Sequence, residues 1–252
     1  MTKKKVRNLV GLGVLVVLSS IIIYWFYFST PISFPTNEQM VKEINSVHPE
    51  AAASVIQETI PVDERHVVVP FISNENDYGL SYWVWKKHKW RVVTIDTKGE
   101  PKVWKINRKD PSSFHLVWNI HPEDQLGSIA FYIIRDRGYQ ITEGIENYVP
   151  RIQLEKKVSL QEKSYGMMEL PDEWMGVMNA LIEVDSPQKP ELFYNDFFPE
   201  RNMFFGWIPI DQSDKEIFPE GSLNGSGFSN GNVDLEHLMI LGKGDLELPS
   251  FN

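Results

Sequence analysis

The chain has 252 residues, with 25 Lys and Arg against 34 Asp and Glu for a net charge of −9, and it contains no cysteine. Without cysteine there are no disulfides, no thioether lipidation and no thiol nucleophile, while the acidic balance argues against nucleic acid as a partner. A chain of this length buries enough apolar surface to fold without such staples.

The first eight residues hold Lys3, Lys4, Lys5 and Arg7, and residues 9–28 follow without a charge. As a helix rising ~1.5 Å per residue, that stretch spans ~30 Å of hydrocarbon. A cleaved secretory signal has a shorter apolar region and a small-x-small site behind it. Here Tyr24-Trp25-Phe26-Tyr27-Phe28 stand in that place, and such rings suit the headgroup level of a bilayer. Cleavage at Ser19-Ser20 is the alternative; it would leave the apolar run IIIYWFYF on a secreted chain.

The expectation is therefore a single-pass bacterial signal-anchor in the cell membrane. Residues 1–8 form a cytoplasmic basic tail, 9–28 a transmembrane helix, 29–36 a proline-containing linker, and 37–252 an extracytoplasmic α+β domain with a subdivision near 150. Removing the four tail cations from −9 leaves −13 on the external part, and residues 151–252 alone carry 8 basic against 18 acidic side chains. That surface repels nucleic acid and keeps the domain solvated.

In the domain, Thr36 or Asn37 caps a helix with Met40, Val41, Ile44 and Val47 at helical spacing. Pro49 opens a second, PEAAASVIQETI, which ends before Pro61. The period then becomes strand-like. HVVVPFI, LSYWVWK, WRVVTID, KVWKI, FHLVWNI and SIAFYIIRD are separated by turn residues and read as an antiparallel β-meander of five or six strands. Two helices before a meander is an element order similar to cystatin-like and nuclear-transport-factor-like folds; no motif accompanies it, and no family is assigned.

The C-terminal half reads as mixed and less regular. Asp172 caps a helix with Trp174, Met175, Val177, Met178, Leu181 and Ile182 on one stripe, and ELFYNDFF and NMFFGWIPI read as buried strands. The Gly-, Ser- and Asn-rich stretch between Asp211 and Asp234 reads as a long, mobile loop, and LEHLMILGKGDLEL as a strand or short helix that ties the end down.

No stretch carries a catalytic signature. GxSxG and HExxH are absent, and GSGFSN departs from the phosphate-binding glycine pattern at Asn230. In FHLVWNIH, alternation puts Phe114, Leu116, Trp118 and Ile120 on one face and His115, Val117, Asn119 and His121 on the other. The two histidines stand ~20 Å apart along a strand, too far to share a metal. Trp83, Trp85, Trp90, Trp104 and Trp118 read mainly as core, with one or two rings exposed. Asn230, Asn232, Asp234 and Glu236 alternate like the start of a calcium loop but lack its central glycine and distant glutamate, so no metal and no cofactor is expected.

These features suggest a non-catalytic binding or assembly module at the cell envelope. It would be tied to the lipid bilayer through residues 9–28, with a protein partner and no nucleic acid. The alternative is a carboxylate-dependent envelope hydrolase, whose two acids meet only in space.

Overall fold

The computed structural model describes residues 11–20, 24–25, 30–142, 145–185, 203–231 and 233–247. The protein is a mixed α/β chain built on antiparallel sheets. Residues 11–20 and 24–25 are helical. Among the described residues no helix is long and apolar enough to cross a membrane, so the span expected over 9–28 has no support from them. Its residues 9–10, 21–23 and 26–28 lie outside the described set.

Helix α1 (Asn37–Val47) forms where its periodicity places it. Thr36 Oγ1 accepts from the Gln39 N–H at 3.4 Å and Gln39 Oε1 accepts from the Thr36 N–H at 3.0 Å, a reciprocal cap. The second expected helix does not form. Pro49–Ala51 makes a single 3-10 turn, Ala52 turns left-handed at φ 42°, and strand β1 (Ala53–Ile56) follows. The Asn45 amide decides this: its Oδ1 accepts from the Ala53 N–H at 2.7 Å and its Nδ2 donates to the Ala53 carbonyl at 2.9 Å. It thus imitates a neighbouring strand, and the β-branched pair Val55-Ile56 then joins Ile72 and Phe71.

The six strands read from the sequence as a meander are all present. They are β3 (His66–Ser73), β4 (Tyr78–Lys86), β5 (Lys89–Asp96), β6 (Gly99–Lys105), β7 (Phe114–Asn119) and β8 (Leu126–Arg135), with a short β2 (Ile60–Pro61) beside β3. They do not form one meander. The first sheet runs β1-β3-β4-β5; the chain then steps to a second sheet with β6 and β7, and again to a third with β8. Strands apolar on both faces must be covered on both, and stacking separate sheets achieves this.

Val68, Leu80, Tyr82 and Val93 of the first sheet pack on Trp104 and Val117 of the second. Across the second sheet, Val103, Phe114, Leu116 and Trp118 pack on Ile129, Phe131 and Ile133 of the third. Helix α1 closes the outer face of the first sheet with Met40 and Ile44 against Val67, Val69, Phe71 and Trp83. With a split meander and one helix before it, the cystatin-like element order is lost.

Beyond β8 come β9 (Gly138–Thr142), β10 (Ile145–Val149), β11 (Ile152–Ser159) and β12 (Tyr165–Glu169). Strand β11 pairs with β8 across position 150, and β12 with β7. Helix α2 (Asp172–Asp185) buries Trp174 and Met178 against the core between the second and third sheets. The Pro171 carbonyl accepts from the N–H groups of Trp174 and Met175, so Pro171 takes the cap position and Asp172 the first turn. The expected strand at 191–198 lies outside the described residues, whereas NMFFGWIPI forms β13 (Met203–Asp211), buried at its centre.

The stretch expected as a mobile loop is instead pinned. Ser222 and Leu223 are buried, and β14 (Gly227–Ser229) pairs with β5. Next, β15 (Asp234–His237) pairs with β6, and β16 (Met239–Ile240) runs parallel to β13. One stretch of chain thus adds an edge strand to each of the three stacked sheets. Its Gly/Ser/Asn content serves the sharp transfers between them; Gly231, at φ 74°, lies between β14 and β15.

Candidate functional site

A cleft of about 280 Å³ opens between the first and second sheets, lined by His66, Val84, Trp104, Lys105, Ile106, Arg108, Gly231, Val233 and Asp234. Its histidine is placed by a tight bend. The Val62 N–H donates to the His66 carbonyl at 2.9 Å, and the Arg65 N–H donates to Asp63 Oδ1 at 2.7 Å. Asp63 therefore faces the ring three residues on, with His66 Nδ1 at 2.9 and 2.8 Å from its two oxygens. Burial pushes the Asp63 carboxyl up, but the hydrogen bonds from His66 and Arg65 outweigh it and hold the group below its usual value.

The His66 ring meets Trp104 edge to face at a centroid distance of 5.4 Å. Nδ1 faces the carboxylate, and Nε2 has no hydrogen-bond partner among the described residues. Across the cleft Arg108 Nε lies 2.6 Å from Asp234 Oδ2, and Lys105 pairs with Glu236 and sits over the Phe114 ring. Among the described residues the lining offers an oriented imidazole but no serine, threonine or tyrosine hydroxyl. Such a ring can exchange a hydrogen bond or a proton with a bound ligand.

His115 and His121 stand apart from that role. His115 is buried and hydrogen-bonded to the Ser113 carbonyl at 3.1 Å, and burial pushes its imidazole pKa down. His121 Nδ1 accepts from the Glu123 N–H at 3.1 Å, so Nε2 carries the proton to the Asn76 carbonyl at 2.8 Å. Both are structural. Of the calcium-like positions, Asn232 lies outside the described residues, Asp234 and Glu236 are engaged by cations, and no metal-binding cluster exists among the described residues. Trp83, Trp85, Trp104 and Trp118 are buried, and Trp90 is half-buried. Sequence reasoning passed over Asp63 and His66; the only signal was an acid three residues before a histidine at a strand start.

A second surface lies on β9 and β10, which pair only with each other among the described strands. Tyr139 stands opposite Tyr148 and Ile141 opposite Glu146, so one face carries both tyrosines and the isoleucine. Tyr139, Ile141 and Tyr148 are 62%, 59% and 63% exposed. The neck of this hairpin is braced by arginines. Arg151 reaches Asp136 at 2.9 Å and the Asp245 carbonyl at 2.7 Å, Arg135 donates to the Pro150 carbonyl at 3.1 Å, and Arg137 pairs with Glu247 at 2.6 Å. Compared with protein-family models, curated proteins and solved structures, the chain matches none.

Proposed function

We propose that the protein is a single-pass membrane-anchored module of the cell envelope that binds a partner protein and catalyses no reaction. Residues 9–28 would lie in the bilayer, with the N-terminal tail cytoplasmic and the α/β domain outside. The observation that carries the binding role is the β9–β10 face, where Tyr139, Ile141 and Tyr148 stand exposed on a hairpin whose base is locked. Large apolar side chains gathered on one exposed face mark contact surfaces, and tyrosine is favoured at them for its rigid, amphipathic ring. The carboxylate-hydrolase alternative needs an acid held protonated. Among the described residues, the carboxyl groups with shifted values, Glu58, Asp63 and Asp214, are all lowered, which gives that alternative no support.

A photo-reactive amino acid at position 139 in growing cells tests this reading. A protein adduct is expected at 139 that is lost when Ile141 and Tyr148 are both changed to Ser, with none when the probe replaces Asp214, an exposed turn residue. Equal labelling at 139 and 214, or none at 139, would overturn the binding role.

A further inference from the structure

We propose that the tip of the β4–β5 hairpin docks on anionic phospholipid headgroups of the membrane that holds the N-terminal helix. This rests on the anchored reading of residues 9–28. Between Lys86 and Trp90 the chain reverses through Lys87 and His88, whose φ angles of 53° and 58° both lie in the left-handed region. A two-residue hairpin turn of that geometry favours Asn-Gly. Here a cation and an imidazole occupy it instead.

Around the turn, Lys86 stands opposite Lys89 and Arg91 opposite Val84, so Lys86, Lys89 and Arg91 share one face. All three and Lys87 are exposed, and none makes an ion pair among the described residues. Four cations within residues 86–91, with no acid between them, are the reverse of the chain's net −9. Val84, on the same face, lines the cleft described above.

The opposite face of the tip is aromatic and meets Trp25, Ile32 and Phe34. Trp85 and Trp90 pair across the strands at 5.6 Å, Trp90 Nε1 donates to the Ile32 carbonyl at 3.0 Å, and Phe34 packs edge-on against Trp90 at 4.8 Å. Trp25 lies 4.0 Å from the His88 ring, centroid to centroid. In the anchored reading Trp25 sits at headgroup level, so its contact with His88 brings the basic tip to that same level. Cations there are attracted to anionic lipid, and the attraction is screened by salt.

The chain has no cysteine, so Lys87→Cys takes a single fluorophore and leaves Lys86, Lys89 and Arg91 in place. Full-length protein is reconstituted in vesicles of phosphatidylcholine with or without phosphatidylglycerol, each containing a headgroup nitroxide quencher. Quenching at 87 is expected to exceed that at a labelled Asp214→Cys by about twofold or more, to need phosphatidylglycerol, and to fall with salt. Changing Lys86, Lys89 and Arg91 together to Gln should abolish the phosphatidylglycerol dependence. Release of the chain by alkaline carbonate would overturn the anchored reading and the docking with it. Retention with equal quenching at 87 and 214, or with a response only to added soluble polyphosphate, would overturn the docking alone.

Discussion

Asn119 shows how much a single polar side chain can decide in this fold. It is fully buried on β7 in the second sheet, yet its Nδ2 donates to the Gly79 carbonyl at 2.8 Å, the Phe71 carbonyl at 3.3 Å and Gln57 Oε1 at 2.8 Å, all outside that sheet. Its cross-strand partner is Gly99, where a Cβ would lie 2.1 Å from the Asn119 backbone carbonyl oxygen, so the close approach depends on glycine. Asn119→Ala strips these bonds from buried carbonyls and is expected to cost about 2–3 kcal/mol, read as a lowered urea midpoint. His115 makes a different kind of demand. Because burial lowers its folded-state pKa, the unfolded chain takes up a proton first, near its reference value of ~6.5. Its contribution is complete above that pH and is lost as pH falls towards the folded-state value. Urea titrations at pH 7.5 and 5.5 should show a larger loss for the native chain than for His115→Gln. Both residues lie on the face that alternation gave to His115, Val117, Asn119 and His121, so their direction was legible in the sequence while their partners were not.

At the scale of elements, the β4–β5 hairpin combines strong strands with an unfavourable turn. Non-glycine residues in the left-handed region cost about 1–2 kcal/mol each, and Lys87 and His88 both sit there. Replacing the pair by Asn-Gly is expected to stabilise the protein by about 1–2 kcal/mol and raise its melting temperature by a few degrees in calorimetry. An unchanged or lower melting temperature would contradict this account of the turn. The same contrast between local signal and outcome recurs elsewhere. Helix α1 was legible because its cap and apolar spacing agree, and β13 because its run is long and apolar. The segment after Pro49 was not, because alanines favour a helix and only Asn45, eight residues before Ala53, captures the chain as a strand. Strands β14, β15 and β16 are two to four residues long, too short for any period to show.

Over the whole molecule, the three sheets share their cores. One apolar cluster contains Val103 and Phe131 together with Trp174, Trp207 and Leu238, drawn from both sides of position 150. The buried pair of Lys102 on β6 and Asp96 on β5 ties the second sheet to the first. Asp124, after β7, accepts from the Gly221 N–H at 2.7 Å and from Ser222 Oγ at 2.5 Å, and so fastens the C-terminal stretch. Layers joined in this way should melt together. Far-ultraviolet and near-ultraviolet circular dichroism of the detergent-solubilised chain in reducing buffer are expected to trace one coincident transition. Two separated transitions would show that the sheets are energetically independent.

The sequence by itself determined the acidic surface, the freedom from disulfides, the capped helix at 37–47 and the faces of individual strands, because charge, caps and periods of 2 and 3.6 are local properties. Only the tertiary structure decided which sheet each strand joins, since alternation orients a side chain without naming its neighbour. It also brought Asp63 onto His66 above Trp104, and it laid residues 227–240 as a strap across three sheet edges. Unpaired edges are filled by whatever backbone reaches them, and that reach is set by how the layers stack.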